Sequence, residues 1–347
     1  MVNIVNVKRP YVHLESENTI EILLNALKTS LDGFIGEGVI GVLLDGGLSR
    51  GYGDHLSEID VVVYLDEAHF KKYQYGICPF PLGIAMIDGF LYDIKILDFE
   101  AEKQKKYDSV ALWDLSYAQI LYDPQSQVAA FMEEKLKEPV GVSSAGGLMW
   151  EAWWHYKLAG DIWIHRGDFL QGHYIFNLAI RPLLGALFIV NEEYIPHDKW
   201  LIHMSRSLPW TPEKWDILLT GAISTGDNTW QSLKYRQQCI DAIWNSIDKR
   251  ICSIVGFNTG LSITQKASYD NLLRLTAKDV YTIAEWEELT NLNSLNYEPV
   301  RSAFYQDGDR IVFNKERLLN LCPSDMYSWM YEIADAVRKD KTNKEVY

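Results

Sequence analysis

A glycine-rich turn followed by two closely spaced acids is the part of the sequence best suited to chemistry. Residues 46–51 read GGLSRG, and after six further residues the chain continues with Glu58-Ile59-Asp60. Because side chains alternate along a strand, the carboxylates of Glu58 and Asp60 would project from one face. Two carboxylates that point together repel unless a cation lies between them, and hard oxygen ligands suit Mg²⁺. The glycines let backbone N–H groups approach phosphate oxygens, and Ser49 adds a hydroxyl donor, so the segment predicts a metal–phosphate site.

Asp93 is the candidate for a third carboxylate. It lies in the middle of the run FLYDIKILDF, where it shares a strand face with Leu91, Lys95 and Leu97. An acid among apolar neighbours on an inner strand is costly unless it faces a metal ion or a proton to be removed. Asp93 would then either complete the metal site or act as general base for an attacking hydroxyl. The alternative is an Asp93 on an edge strand, paired with Lys95 or solvated.

These acids need a sheet to position them, and residues 1–125 are expected to form a small α/β domain on a mixed sheet. The pair Asp88-Gly89 between two apolar runs is a strong signal for a two-residue hairpin turn. The β-branched run that follows Glu58 is typical of a central strand. The predicted elements are a helix over 20–31, buried strands over 38–44 and 59–65, and hairpin strands over 82–87 and 90–99.

The remainder of the chain has a mainly helical pattern. Residues 126–258 predict a helical bundle whose tryptophans either line a pocket or, as is more usual for aromatic stripes at helical spacing, pack in the core. Residues 259–347 predict a small C-terminal α/β appendage with a hairpin at Asp307-Gly308. The predicted fold class is therefore α+β: a small mixed-sheet domain, then a helical bundle, then the appendage. The predicted helices span 127–137, 147–165, 168–190 (bent at Pro182), 212–222, 227–255, 277–292 and 324–338.

The composition is that of an acidic globular protein. The 347 residues include 33 basic and 47 acidic side chains, which give a formal net charge of −14. Because affinity for nucleic acid depends on counterion release by Lys and Arg, a long DNA or RNA substrate is not expected.

The four cysteines are widely separated, the N-terminus does not resemble a signal peptide, and no apolar run approaches the ~20 residues that cross a bilayer. We therefore expect a soluble cytoplasmic protein without membrane association, and its oligomeric state stays open.

The motif resembles the signature of the polymerase-β-like nucleotidyltransferase superfamily. That signature is Gly-Ser, then Arg-Gly, then Ser-Asp-x-Asp leading into an apolar strand. Here Gly46-Gly47, Arg50-Gly51 and Ser57-Glu58-Ile59-Asp60 stand at the matching positions. Two residues depart from the usual form: Gly47 replaces the Ser, which removes one phosphate contact that Ser49 could replace, and Glu58 replaces the first Asp.

The order of the segments is also similar to that of the antibiotic nucleotidyltransferases, which include the aminoglycoside and lincosamide adenylyltransferases. The resemblance implies transfer of AMP from ATP·Mg²⁺ to a hydroxyl of a small molecule. It implies metal ligands at Glu58, Asp60 and Asp93, and it implies Glu151 of the bundle as the rival of Asp93 for the role of base. The residues implied to contact the nucleotide are Gly46, Gly47, Ser49, Arg50, Ser57 and Lys199.

Two other classes of function remain open. One is a catalytically idle or regulatory nucleotide-binding module of the antitoxin type, although such antitoxins are usually shorter. The other is an RNA-modifying transferase, which the charge of −14 disfavours.

Overall fold

The computed structural model describes residue 9 and residues 12–344. The chain forms two compact units: the first comprises Met1–Gly141 and Leu183–Thr220, and the second comprises Val142–Pro182 and Gly221–Tyr347. The predicted division into segments 1–125, 126–258 and 259–347 uses other borders and stays a prediction. The chain is α+β, with a mixed sheet and many helices, as the sequence predicts.

The first unit is built on a five-stranded mixed sheet. The strand order is β3-β4-β2-β1-β5, in which β2 and β4 are parallel and all other neighbours are antiparallel. The expected hairpin is confirmed, since Asp88 and Gly89 both have positive φ between β3 and β4. The strands are β1 (Val39–Leu44), β2 (Ile59–Leu65), β3 (Gly83–Ile87), β4 (Phe90–Asp98) and β5 (Gln119–Tyr122).

The helices follow the sequence pattern in most places. A stretch of π-helix, Trp154–Ala159, continues one of them without a break, and Pro182 lies inside another. They are α1 (Ile20–Ser30), α2 (Gly46–Ser49), α3 (Glu67–Tyr75), α4 (Phe99–Gln104), α5 (Ser109–Tyr117), α6 (Gln127–Leu136), α7 (Ala145–Trp153), α8 (Gly160–Arg166), α9 (Phe169–Val190), α10 (Asp198–Ser205), α11 (Trp215–Ile223), α12 (Trp230–Ile254), α13 (Ile263–Leu275), α14 (Ile283–Leu289), α15 (Val300–Ala303), α16 (Lys315–Leu319) and α17 (Ser328–Lys344).

Both faces of the central strand β2 are buried. On one face Val61 and Val63 pack with Leu24 and Leu27 of α1. The opposite face belongs to a second cluster, which contains the following residues: Leu43, Val62, Tyr64, Phe99, Leu115, Val128 and Phe131. Because side chains alternate, Asp60 lies on the same face as Val62 and Tyr64, at the end of this second cluster.

The second unit contains a three-stranded antiparallel sheet in the order β6-β8-β7, with strands β6 (Val280–Thr282), β7 (Phe304–Asp307) and β8 (Arg310–Phe313). The predicted hairpin at Asp307-Gly308 is confirmed. The predicted helix over 277–292 is wrong at its start, because Val280–Thr282 forms an edge strand whose Tyr281 is buried. The helix begins after Thr282, which forms a capping box with Glu285.

Among the described residues, α9 is the helix that is long and apolar enough to cross a membrane. Its most apolar window is 67% buried, and a core helix of a soluble protein has the same length and composition. In the sequence this helix does not stand out as a membrane span, because His173, Asn177 and Arg181 interrupt the apolar run.

Candidate active site

The structure brings the three predicted acids together at one end of β2 and β4. Oxygen atoms of Glu58, Asp60 and Asp93 all lie within 4.8 Å of one another, and the three side chains are half-buried. Asp60 and Asp93 are direct partners in the parallel pairing of β2 with β4. Since both strands are inner strands, the prediction that Asp93 lies on an inner strand is confirmed.

Lys95 is nevertheless an ion-pair partner of Asp93, as the alternative interpretation supposed. Its Nζ lies 3.0 Å from Asp93 Oδ2. Burial lowers the pKa of Lys95, but the hydrogen bond with Asp93 and the charges of Asp93, Asp60 and Asp45 outweigh it and raise the pKa overall. Lys95 therefore stays charged and supplies one positive charge to a group of four acids.

Asp60 is the acid that this arrangement perturbs most clearly. Burial, and then the negative charges of Asp45 and Glu58, raise the pKa of Asp60 to about 6. A carboxyl with such a pKa lies in a place where negative charge is under-compensated. A divalent cation would provide that compensation.

The donor set fits a hard divalent cation. Three carboxylates are the ligand type that Mg²⁺, Mn²⁺ and Ca²⁺ prefer. Opposite ligands around such an ion are separated by about 4–5 Å, since each lies at 2.0–2.6 Å from the metal. Oxygen atoms that all lie within 4.8 Å of one another are near enough to share one such ion. Glu58, Asp60 and Asp93 are thus the residues that would hold a metal ion.

Gly46 places the backbone of the turn directly against Asp60. Its φ is +70°, and a Cβ atom built on it would lie 1.7 Å from Asp60 Oδ2. The Asp45 N–H donates to the Asp60 carbonyl at 3.0 Å, which fixes the start of α2 beside β2. Gly47 follows in the same short helix, where an added Cβ would be 3.3 Å from the Tyr52 carbonyl oxygen. Glycine is required at position 46, because the backbone and the Asp60 carboxylate approach so closely there.

The two serines of the motif use their hydroxyl groups within the turn. The Ser49 hydroxyl donates to the Gly46 carbonyl at 2.9 Å, and the Ser49 side chain is buried. The Ser57 hydroxyl donates to Asp54 Oδ1 at 3.2 Å and accepts from the Asp54 N–H at 2.9 Å. In this arrangement both serines stabilise the loop around the acids, and their contact with a nucleotide stays a prediction.

Arg50 is buried in an ion-pair network. Its guanidinium group donates to Asp114 and lies 3.6 Å from Asp45 Oδ1. It also lies over the rings of Trp113 and Trp200, at 4.3 and 5.5 Å from their centroids. These contacts tie α2 to α5 and α10. The phosphate contact implied for Arg50 stays a prediction, but the structure shows the side chain positioning the turn.

The sequence analysis missed the acids and the histidine of this network. The His197 imidazole lies 3.2 Å from Asp114 Oδ2. Burial, followed by the charge of Asp45, raises the pKa of Asp114. Asp45 immediately precedes Gly46 and could have been noticed as part of the motif. Asp114 and His197 had no local signal, because they are distant from the motif in sequence.

The two remaining candidates lie on different units. Lys199 is an exposed residue of α10 in the first unit, next to Trp200. Glu151 is an exposed residue of α7 in the second unit. Their roles stay predictions.

Comparisons with known proteins leave the family open. No protein-family model matches the sequence, and no curated protein matches it significantly. A crystal structure of a nucleotidyltransferase-like protein from Exiguobacterium sibiricum 255-15 is similar, with 9% identity and a TM-score of 0.37 over 84% of this chain and 98% of that chain. At this similarity the likeness assigns neither a family nor an activity.

Proposed function

We propose that the protein is a metal-dependent nucleotidyltransferase that moves a nucleoside monophosphate, AMP from ATP, to a hydroxyl group of a small molecule. The observation that carries the proposal is the cluster of Glu58, Asp60 and Asp93 on adjacent parallel strands, with the Gly46 turn packed against it. Nucleotidyl transfer needs these parts: hard ligands for a metal ion and a backbone that can approach phosphate oxygens.

The residues have separable roles in this proposal. Glu58 and Asp60 would hold Mg²⁺, and the backbone of Gly46 and Gly47 would face the triphosphate. When bound, the metal ion neutralises charge on the triphosphate and on the leaving pyrophosphate. Asp93 orients the acceptor hydroxyl and takes its proton while that oxygen bonds to the α-phosphorus and the bond to pyrophosphate breaks. Glu151 is the other candidate for the base.

The acceptor is proposed to be a small molecule, with aminoglycosides and lincosamides as the first class to examine. Support comes from the resemblance of the order of the segments to that of the antibiotic nucleotidyltransferases, and from the net charge of −14, which favours a cationic or neutral acceptor over a polyanion. The choice of ATP rests on the same resemblance.

A pyrophosphate-release assay with ATP, Mg²⁺ and a panel of hydroxyl acceptors tests the proposal. We expect release with at least one acceptor, and a loss of about 10²-fold or more in Asp60→Asn because a metal ligand is removed. Glu21→Gln is the matched control, since it removes one exposed negative charge from α1 of the same unit. Full activity and unchanged metal–ATP binding in Asp60→Asn would refute the proposal.

A nucleotide-binding module without turnover is the second candidate, and the ion pair between Lys95 and Asp93 favours it. A base that is already paired with a lysine is a poorer proton acceptor. Calorimetry with Mg²⁺·ATP separates the two candidates. Binding that is lost in Asp60→Asn, without transfer to any acceptor in the panel, would support the module.

A further inference from the structure

The second unit contains a cavity of about 740 Å³ that the proposed function does not use. Cavities of roughly 300–1,000 Å³ are typical sites for small molecules. Trp153, Trp244, Phe257 and Trp329 contribute to its walls. Asp248 of α12 also lines it.

The aromatic walls are held in place by contacts outside the cavity. The Trp244 Nε1–H donates to the Met149 carbonyl at 2.9 Å. Trp150 stacks on Trp153 with ring centroids 5.4 Å apart, and it contacts Trp329 at 5.5 Å. The π-helical stretch begins directly after Trp153. Such stretches interrupt α-helices frequently at functional sites.

Asp248 is the buried carboxylate that lines the cavity. It is 9% exposed, and its Oδ1 accepts from the Ile263 N–H at 2.8 Å. Among the described residues, this is the one hydrogen bond that the carboxylate accepts. Burial raises the pKa of Asp248 to about 6, although the Ile263 N–H and the charge of Lys249 lower it. The carboxylate therefore lacks the compensation that a buried anion needs.

The other charged groups of the cavity do not cancel Asp248. Lys249 lines it but is exposed, so water screens its charge. Glu332 of α17 also lines it, and its Oε2 accepts from Gln265 Nε2 at 2.8 Å. The cavity thus combines two carboxylates with the negative faces of several aromatic rings, and both attract an ammonium group.

A bare metal ion fits this cavity less well. Among the described residues, a group of three metal-type side chains with ligand atoms within 4.8 Å of one another occurs at Glu58, Asp60 and Asp93 and not here. Divalent cations also need several oxygen ligands, whereas indole rings provide none.

We propose that this cavity binds an organic ammonium ion, with the ammonium group at Asp248 and an apolar or ring body along Trp153 and Trp329. The site goes beyond the proposed function, since it lies in the second unit and requires neither nucleotide nor metal ion. The ammonium group donates hydrogen bonds to the free oxygen of Asp248, while Ile263 keeps the other oxygen in place.

Titration of the full chain with 2-phenylethylammonium, followed by tryptophan fluorescence and calorimetry without ATP or metal ion, tests this site. The neutral probe is 2-phenylethanol, which has nearly the same size. We expect the ammonium to bind at least about tenfold more tightly than the alcohol, because only the ammonium compensates Asp248. The result is independent of the transferase assay.

Two variants and a control make the outcome decisive. Asp248→Asn retains an oxygen for the Ile263 N–H, and we expect it to remove the preference for the ammonium while the alcohol binds as before. Trp329→Ala should weaken both probes, since it removes a half-buried wall residue. Glu288→Gln, an exposed charge change on α14, should alter neither. Equal affinity for the two probes, an unchanged preference in folded Asp248→Asn, or no binding of the ammonium would overturn the proposal.

Discussion

At the scale of single residues, Asp60 is where the demands of folding and of the proposed metal binding conflict. Its carboxylate is half-buried beside Asp45, Glu58 and Asp93, and its pKa is raised to about 6. At neutral pH the ionised form therefore destabilises the folded protein when no cation is bound. A bound metal ion would reverse this effect, so the proposed metal binding would be linked to stability at this residue.

Replacing Asp60 with Asn should stabilise the metal-free protein at neutral pH. The gain in the free energy of unfolding is at most about 3 kcal/mol, since this energy corresponds to raising the pKa of Asp60 from 3.8 to about 6. We also expect Mg²⁺ or Mn²⁺ to raise the Tm of the parent and to leave that of the variant unchanged. Thermal denaturation with and without metal ion measures both effects, and Glu21→Gln serves as the charge-matched control. A metal-induced rise in Tm equal to that of the parent would contradict the assignment of Asp60 as a ligand.

Asp248 should make the second unit less stable as the pH rises. Its folded-state pKa of about 6 lies above the unfolded value of 3.8, so its contribution is fully present below the unfolded value and is lost as the pH rises through the folded value. The charged groups around it are Lys249 on its own helix and Glu332 of α17. Asp248→Asn removes this dependence. The stability difference between variant and parent, measured by urea denaturation, should therefore grow between about pH 4 and 7; a constant difference would contradict the raised pKa.

At the scale of secondary-structure elements, the short helix α2 is the part of the fold that brings backbone and acids together. Gly46 begins it with a positive φ, and Asp60 occupies the space where a side chain would lie. Only glycine satisfies both conditions, because other residues rarely adopt this φ and all of them carry a Cβ. The position of α2 thus depends on one residue type at one position.

Gly46→Ala and Gly83→Ala form a matched pair that separates the effect of the positive φ from the effect of the contact with Asp60. The two glycines have φ of +70° and +68°, but a Cβ on Gly83 meets no atom within 4 Å. Both variants should lose about 1–2 kcal/mol to the left-handed conformation. Gly46→Ala should lose more, and metal binding with it, because Asp60 must move. Urea denaturation and metal titration compare the two, and equal losses would show that the contact with Asp60 is unimportant.

Arg50 should be much more important for stability than a surface arginine. It is buried between Asp45 and Asp114, so Arg50→Ala removes the ion-pair partner of Asp45 and leaves Asp114 with His197 alone, which should cost about 3–5 kcal/mol. Arg206 is the control, since its contact with Asp216 is exposed and 3.8 Å long. Arg206→Ala should cost about 0–1 kcal/mol. Similar free energies of unfolding for the two variants would exclude a positioning role for Arg50.

The helix-level predictions succeeded where periodicity was long and failed where it was short. The sequence predicts a long helix over 227–255, which contains α12, whereas the helix predicted over 277–292 includes residues 280–282, which form a strand. Three residues are too few to show a period, and Tyr281 becomes a strand residue because it pairs with β8 and is buried there. Pairing with a distant segment decided the structure of that stretch.

At the scale of the whole molecule, net charge is the property that bears on the class of substrate. A chain with 14 more acidic than basic side chains carries a net charge that repels a phosphate backbone. The acceptor should then be a small molecule, unless a local basic surface overcomes this repulsion.

Binding of a short labelled RNA should accordingly be weak, even at low ionic strength. Fluorescence anisotropy measures it, and a basic RNA-binding protein of similar size is the positive control. Tight binding that decreases steeply with added salt would show several Lys or Arg contacts to phosphate, and would favour the RNA-modifying alternative.

The sequence by itself determined the local parts of the candidate site. The glycine turn, the i, i+2 spacing of Glu58 and Asp60, and the hairpin that carries Asp93 depend on neighbouring residues alone, so periodicity and turn chemistry reveal them. Tertiary structure decided the rest. The parallel pairing of β2 with β4 sets Asp93 opposite Asp60, and burial makes Asp114 the partner of Arg50. These contacts join residues far apart in the chain, and their energy comes from packing and from charge compensation in a buried place, which no local pattern encodes.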